Sequence, residues 1–136
     1  MTGKITGGCL CGQVRYHIAS TPRTQLVCHC TGCRKQSGSA FSAAALVPRD
    51  DMHIDGRTKA YTSRADSGRD ITRHFCPDCG SSLYSEVAAR PDAYVLQIGS
   101  LDDPAWFTPR VNLWTDSALA WVPIDPACKN FPQNAG

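Results

Sequence analysis

The fold of this chain is decided by two short cysteine-containing stretches, GGCLCG at residues 7–12 and FCPDCG at residues 75–80. In each, two thiols stand one or two residues apart, beside glycines that allow a tight turn. Two such turns from distant parts of a chain supply the four ligands that a tetrahedral zinc ion prefers. The alternatives are buried core cysteines or a redox dithiol, but no βαβ pattern surrounds the second pair. The spacing favours a closed structural zinc site, and its predicted ligands are Cys9, Cys11, Cys76 and Cys79.

A second group of thiols lies between these two stretches, at Cys28, Cys30 and Cys33. Three protein ligands leave one coordination position open, which is the arrangement of catalytic rather than structural zinc sites. An open zinc ion lowers the pKa of a bound thiol and polarises a carbonyl group. We therefore predict a second zinc at this triplet. The alternative is a closed site completed by another side chain.

Two neighbours of the triplet bear on this choice, and one more cysteine stands apart from it. His29 lies between two of the three cysteines in sequence, so its ring is expected to point away from the metal that they share. Cys128 lies far along the chain and is interpreted as a bystander, with a fourth ligand or a resolving thiol as alternatives. Arg34 and Lys35 follow the triplet directly, and they either offset its negative charge and steer an acidic thiol or form a solvated pair.

Composition excludes several classes of protein. The 136 residues carry 14 Lys and Arg against 12 Asp and Glu, without any run of like charge, so neither nucleic acid nor an anionic membrane is expected as the main partner. No apolar stretch approaches the length of a membrane span, and the first residues lack the apolar core of a signal peptide. We expect a single cytoplasmic domain whose eight cysteines stay reduced, with a core over about 5–122 and an irregular Pro-rich tail over 123–136.

Short alternating or apolar runs between turn residues predict a mainly β protein. The expected strands are residues 13–19, 41–47, 52–55, 59–62, 70–75, 82–87, 94–98, 112–114 and 119–122. Residues 52–55 and 59–62 read as a strand pair around Asp55-Gly56, and residues 32–37 read as one helical turn. Core packing is the favoured use of Trp106 and Phe107 over a subunit interface.

These motifs resemble the glutathione-dependent formaldehyde-activating enzyme (GFA) family, also called the centromere protein V/GFA domain. The resemblance rests on residues 7–12, on CHCTGCRK at residues 28–35 and on residues 75–80. Weaker marks of the family agree with it at Ser37-Gly38, Phe41, residues 99–104 and Trp121. The similarity runs from Gly7 to about Trp121, which is nearly the whole chain.

The resemblance implies a β-tent, in which several small antiparallel sheets are pinned by a structural zinc. Carried over by position, that zinc falls on Cys9, Cys11, Cys76 and Cys79, and a second, labile zinc linked to glutathione binding falls on Cys28, Cys30 and Cys33. The implied activity is carbon–sulfur bond formation and cleavage, as in the condensation of glutathione with formaldehyde. One position departs from the family, because many relatives carry His where this chain has Asn112.

Three functions follow from these patterns. The first is a zinc-dependent carbon–sulfur lyase-type enzyme acting on an adduct of glutathione or another small thiol. Cys28, Cys30 and Cys33 would then hold the catalytic zinc, and Arg34 and Lys35 would contact the substrate. The second is a zinc-stabilised binding module without chemistry. The third is a redox sensor in which oxidation of the triplet releases zinc.

Overall fold

The computed structural model of the protein describes residues 5–134, which form eleven strands and one short α-helix. The strands are β1 (Ile5–Gly8), β2 (Arg15–Ile18), β3 (Thr24–Cys28), β4 (Ser42–Pro48), β5 (Met52–Asp55), β6 (Lys59–Arg64), β7 (Asp70–Phe75), β8 (Ser82–Val87), β9 (Ala93–Gln97), β10 (Val111–Leu113) and β11 (Lys129–Asn130). The helix is α1 (Thr31–Ser37), and three 3₁₀ turns lie at Arg49–Asp51, Ile98–Ser100 and Thr115–Ser117. None of these helices is long and apolar enough to cross a membrane.

The strands form two sheets, which confirms the expected mainly β class. The smaller sheet has the order β1-β2-β5 and is antiparallel throughout. The larger sheet has eight strands in the order β11-β10-β3-β4-β9-β8-β7-β6. It is antiparallel from β3 to β6, whereas β10 runs parallel to both of its neighbours, β3 and β11.

The hydrophobic core joins the two sheets. Along β2 the side chains alternate as the sequence predicts, with Tyr16 and Ile18 buried and Arg15 exposed. This inner face and Val14 share one buried cluster with Ile98 of the turn after β9 and with apolar residues of the larger sheet: Ala45, Val47, Leu83 and Leu96. Trp106 and Phe107 pack against the same cluster, which confirms their predicted use in the core.

The strand pair predicted around Asp55-Gly56 is wrong, although both strands exist. β5 pairs with β2 in the smaller sheet, and β6 pairs with β7 in the larger one. Gly56 has φ +104°, and a Cβ built on it would lie 2.2 Å from the Gln13 carbonyl oxygen. The Asp-Gly turn therefore carries the chain past the backbone of the β1–β2 loop into the other sheet, because β2 offers Met52 a buried face to pair against.

Two further predictions of local structure are wrong. Residues 119–122 form no strand, because the Val122 N–H closes a turn onto the Leu119 carbonyl at 3.0 Å and leaves Trp121 exposed. The Pro-rich tail is not wholly irregular, since β11 lies within it and extends the edge of the larger sheet beside β10. The other expected strands and the helical turn are confirmed, and each end differs from the prediction by two residues or fewer. The strands β1 and β3 were not predicted.

Gly56→Ala tests the crossover between the sheets. The substitution places a Cβ against backbone at a left-handed φ, so we expect it to lower the free energy of unfolding by about 2–5 kcal/mol. Gly68 is the matched control, because it also has a positive φ but has open space around a built Cβ. Urea denaturation of Gly68→Ala should show a loss of only about 1–2 kcal/mol, and equal losses in the two variants would contradict the close approach.

Candidate metal centres

The first cysteine cluster lies where the two sheets meet. Cys9 and Cys11 come from the loop between β1 and β2 of the smaller sheet, and Cys76 and Cys79 come from the loop between β7 and β8 of the larger one. The four Sγ atoms all lie within 4.8 Å of one another. The structure thus brings together the four thiols that the sequence predicts as one site.

All four thiols are free, so no disulfide holds this cluster. The Sγ atom of Cys11 lies 3.6 Å from the Sγ atom of Cys9 and 3.7 Å from that of Cys76. Both distances are well beyond the roughly 2 Å of a disulfide bond. Gly12 and Gly80 follow the two cysteine pairs with φ +84° and +79°. Their N–H groups bond back to the carbonyls of Cys9 and Cys76, which closes each turn around its sulfurs.

Backbone and side-chain donors surround the sulfurs of this cluster. The Val14 N–H donates to Cys9 Sγ at 3.3 Å, and the Asp78 N–H donates to Cys76 Sγ at 3.4 Å. The Gln13 side-chain amide adds a further bond to Cys76 Sγ at 3.5 Å. Such donors favour the thiolate form. Four thiolates in this arrangement suit a closed tetrahedral metal site.

The pKa of Cys79 shows the same effect at the rim of the cluster. The Ser81 hydroxyl lies 3.2 Å from Cys79 Sγ, and the pKa of this thiol is lowered to about 5, chiefly by hydrogen bonds from the side chain and backbone of Ser81. The same hydroxyl accepts from the Leu10 N–H at 2.9 Å. Ser81 therefore links the two loops beside the thiols.

The second cluster lies at the end of β3 and the start of α1. Cys28 is the last residue of β3, Cys30 is the N-cap of α1, and Cys33 lies in the first turn of the helix. Cys30 Sγ accepts a hydrogen bond from the Cys33 N–H at 3.3 Å. This N-cap bond holds the Cys30 sulfur over the first turn of the helix, which carries Cys33. The three Sγ atoms lie within 4.8 Å of one another, and no other His, Cys, Asp or Glu of residues 5–134 joins them.

The charge of this cluster is centred on its middle thiol. The pKa of Cys30 is lowered to about 2, first by hydrogen bonds from the thiols of Cys28 and Cys33, and further by the Cys33 N–H and the positive charge of Arg73. The pKa of Cys28 is raised, chiefly because it donates to its two neighbours. With three sulfur donors, the cluster has the chemistry to bind a metal ion with one ligand position left to another group.

His29 and Cys128 lie outside both clusters. The His29 side chain is buried, and its Nε2 lies 3.0 Å from Asn112 Oδ1, which makes Nε2 the protonated nitrogen. Asn112 in turn donates from Nδ2 to Asn130 Oδ1 at 3.0 Å. Asn112 thus ties the triplet loop to β11. Cys128 Sγ bonds to the Pro109 carbonyl at 3.6 Å.

Sequence reasoning did not single out Arg73 as a site residue. Arg34 and Lys35, the cations expected beside the triplet, lie in the last turn of α1, where positive charge favours the carboxyl end of a helix. The buried cation is Arg73 on β7, which is 6% exposed and lies against Gly32. The sequence did carry a sign of this role, because Arg73 alternates with Ile71 and Phe75 on the inward face of a strand. A charged side chain is rarely buried there unless it has a partner.

A cleft of about 490 Å³ is lined by neighbours of both clusters but by none of their cysteines. Six of its lining residues are serines: Ser37, Ser39, Ser42, Ser81, Ser82 and Ser100. Its walls reach both clusters, because Ser81 contacts Cys79 and Ser42 is the strand partner of Cys28. Leu10, which is 89% exposed, and Phe41 contribute apolar surface. The volume suits a small organic ligand.

The sequence profile of the family described as glutathione-dependent formaldehyde-activating enzyme, GFA, matches residues 4–117. The chain belongs to the GFA family. Similar proteins are known from Halomonas elongata, with 29% identity over 89% of this chain and 81% of that protein, and from Podospora anserina, with 26% identity over 88% and 57%. A protein of Penicillium rubens is 32% identical over 62% of this chain and 44% of its own length. Each of the three is named, provisionally, a glutathione-dependent formaldehyde-activating enzyme.

The chain spans about half the length of the two fungal relatives. Among solved structures, a Rhodobacter sphaeroides protein shares the fold, with a TM-score of 0.58 and 21% identity over 77% of this chain and 92% of that one. The GFA match covers both cysteine clusters and the cleft lined by their neighbours.

Metal analysis of two variants should separate the clusters. We expect native mass spectrometry to find two metal ions per chain, one for each cluster. Cys76→Ser should remove one ion and lower Tm strongly, because Cys76 is fully buried where the two sheets meet. Cys30→Ser should remove the other ion with a smaller change in Tm, because its cluster lies within one sheet and its adjoining helix. A larger loss of Tm in Cys30→Ser would contradict this division.

Proposed function

We propose that this protein is a zinc-dependent carbon–sulfur lyase-type enzyme that acts on an adduct of glutathione or another small thiol. The single observation that carries the proposal is the three-thiol cluster beside an open cleft. In this proposal Cys9, Cys11, Cys76 and Cys79 hold a structural zinc. The catalytic zinc belongs to Cys28, Cys30 and Cys33, and both sites lie in one domain of a protein from a reducing, cytoplasmic setting.

The donor sets of both clusters fit zinc. Zinc accepts thiolate in either a closed four-ligand site or an open three-ligand one, and the N–H···S bonds at Cys9 and Cys30 stabilise the thiolate form that it needs. Bound at the triplet, zinc supplies a Lewis acid that lowers the pKa of a thiol and polarises a carbonyl group.

The chain itself provides binding and orientation. Cys28, Cys30 and Cys33 fix the point at which the substrate sulfur arrives. The serine-rich cleft suits the amide and carboxylate groups of a short peptide, since hydroxyls and backbone N–H groups donate to both. Leu10 and Phe41 give one side of the cleft apolar surface for the aliphatic parts of a ligand. Arg34 and Lys35 at the end of α1 remain the proposed contacts for an acidic substrate group.

The reaction forms or breaks one carbon–sulfur bond. In the forward direction the substrate sulfur bonds to the carbonyl carbon of an aldehyde such as formaldehyde, the carbon–oxygen π bond opens, and the oxygen takes up the proton that the thiol has lost. No described Asp or Glu joins the triplet, so the proton exchanges with solvent. Cleavage is the reverse of this step, and neither direction needs an oxidant or a reductant.

Cys30→Ser tests the proposal directly. We expect this variant to keep its fold but to lose zinc at the triplet, glutathione binding, and at least about tenfold in the rate of aldehyde turnover, as expected for loss of a metal ligand. Isothermal titration with glutathione and NMR detection of S-hydroxymethylglutathione measure the two functions.

Cys128→Ser is the matched control, because Cys128 lies outside both clusters and should leave binding and turnover unchanged. Glutathione binding without any acceleration of the aldehyde reaction would support the binding-module hypothesis instead. Unchanged binding and turnover in Cys30→Ser would exclude the enzyme at this site.

Gly99→Leu tests the cleft. A Cβ built on Gly99 meets nothing within 4 Å, and its φ is not left-handed, so the backbone accepts a side chain there. That side chain would fill part of the cleft, and we expect the Kd for glutathione to rise at least about tenfold without loss of zinc or of Tm. A Gly99→Leu protein that binds glutathione normally would place the ligand elsewhere.

A further inference from the structure

Arg73 is a buried guanidinium beside the three-thiol cluster. It lies on β7, three residues before Cys76, and its side chain extends to Gly32, between two cysteines of the triplet. A Cβ built on Gly32 would lie 3.1 Å from Arg73 Nη2 and 3.9 Å from its Cζ. The absence of a side chain at Gly32 therefore leaves the space in which the guanidinium approaches the start of α1.

No carboxylate balances this charge within residues 5–134. Every ion pair of these residues involves another cation, and the hydrogen bond that Arg73 makes is from Nη1 to the neutral Ser63 Oγ at 3.3 Å. A buried cation without a counter-charge destabilises the folded protein. The start of a helix adds to that cost, because it carries partial positive charge. Gly32, which the guanidinium approaches, lies between Cys30 and Cys33, so the groups beside it that can carry negative charge are thiols of the triplet.

The balance of charge shows what Arg73 contributes. Three thiolates around a zinc dication sum to −1, and a substrate thiolate makes the sum −2. Arg73 returns it to −1, in a buried position where the attraction is screened far less than at Lys35 on the exposed surface of α1. A neutral sulfur ligand, such as a thioether, gains no such compensation.

We propose that Arg73 is a positioning residue that supplies the counter-charge of the Cys28–Cys30–Cys33 cluster and makes its open ligand position select an anionic sulfur over a neutral one. The ligand-selection part rests on the proposed function, whereas the retention of metal by the triplet does not. Arg73 acts on the substrate through the charge of the cluster.

The test uses two changes at neighbouring positions. Arg73→Met removes the charge and keeps most of the volume. Ser63→Asp leaves Arg73 in place but sets a carboxylate beside Nη1, so that the guanidinium pairs with Asp instead of the thiolates. Ser63→Ala controls for loss of the serine bond, and Arg64→Gln controls for loss of an exposed cation on β6. The probes are glutathione and S-methylglutathione, whose sulfur is a thioether.

For both Arg73→Met and Ser63→Asp we expect the Kd for glutathione to rise about tenfold and the triplet zinc to pass to a chelator about tenfold faster. The weak binding of S-methylglutathione and the zinc of the four-cysteine cluster should stay unchanged. In the cobalt-substituted protein, the thiolate-to-metal absorption band that appears on adding glutathione should weaken by the same factor. Both control variants should behave as wild type.

Separate results overturn the inference and the proposed function. If Ser63→Asp, or a folded Arg73→Met, keeps glutathione affinity and zinc release within twofold of wild type while Cys30→Ser loses both, Arg73 is merely structural and the proposed function stands. If wild type binds no glutathione, the proposed function fails and ligand selection fails with it. The rate of zinc release from Ser63→Asp then still shows whether Arg73 stabilises metal binding at the triplet. This measurement decides the role of Arg73 even if Arg73→Met does not fold.

Discussion

The meeting of four thiols between two sheets is the constraint on which the rest of this structure depends. The smaller sheet has only three short strands, and its buried face must be covered by the larger sheet to be stable. Cys9 and Cys11 leave that sheet at the loop after β1, and Cys76 and Cys79 leave the larger sheet at the loop after β7. A metal ion shared by the two loops would stabilise the contact through bonds far stronger than packing across so small a core.

The strand that leads to the first cluster also carries a residue to the second. β7 ends in the loop that carries Cys76, so the same strand that anchors the joint between the sheets also carries Arg73 toward α1. The N-cap geometry of Cys30 gathers the triplet locally, while the long-range contact supplies its positive neighbour. One cluster thus lies where the two sheets meet, and the other lies near a cleft lined mainly by the larger sheet and the loops around it.

The strand pairing predicted from the sequence differs from the structure where a segment pairs with a strand distant in sequence, and not with its neighbour. Asp55-Gly56 carries the signal of a hairpin, yet β5 pairs with β2 because Met52 is buried there beside Ile18. Residues 119–122 have strand-forming side chains but no sheet edge to pair with. The tail around Asn130 looked irregular, and it forms a strand because the edge of β10 and the Asn112 amide were available to it. None of these partners is visible within a short window of sequence.

Spacing alone indicated the two candidate metal-ligand sets of this protein. Cysteines two or three positions apart can direct their sulfurs to one point in any fold, so each pair, the triplet and the GFA resemblance could be recognised before any strand was paired. Tertiary structure decided which groups surround those sulfurs: the guanidinium of Arg73, the hydrogen-bonded chain from His29 through Asn112 to Asn130, and the serine-lined cleft. Each of these three features includes a contact between residues at least 18 positions apart in the sequence. Only the packing of sheets and loops brings such residues together.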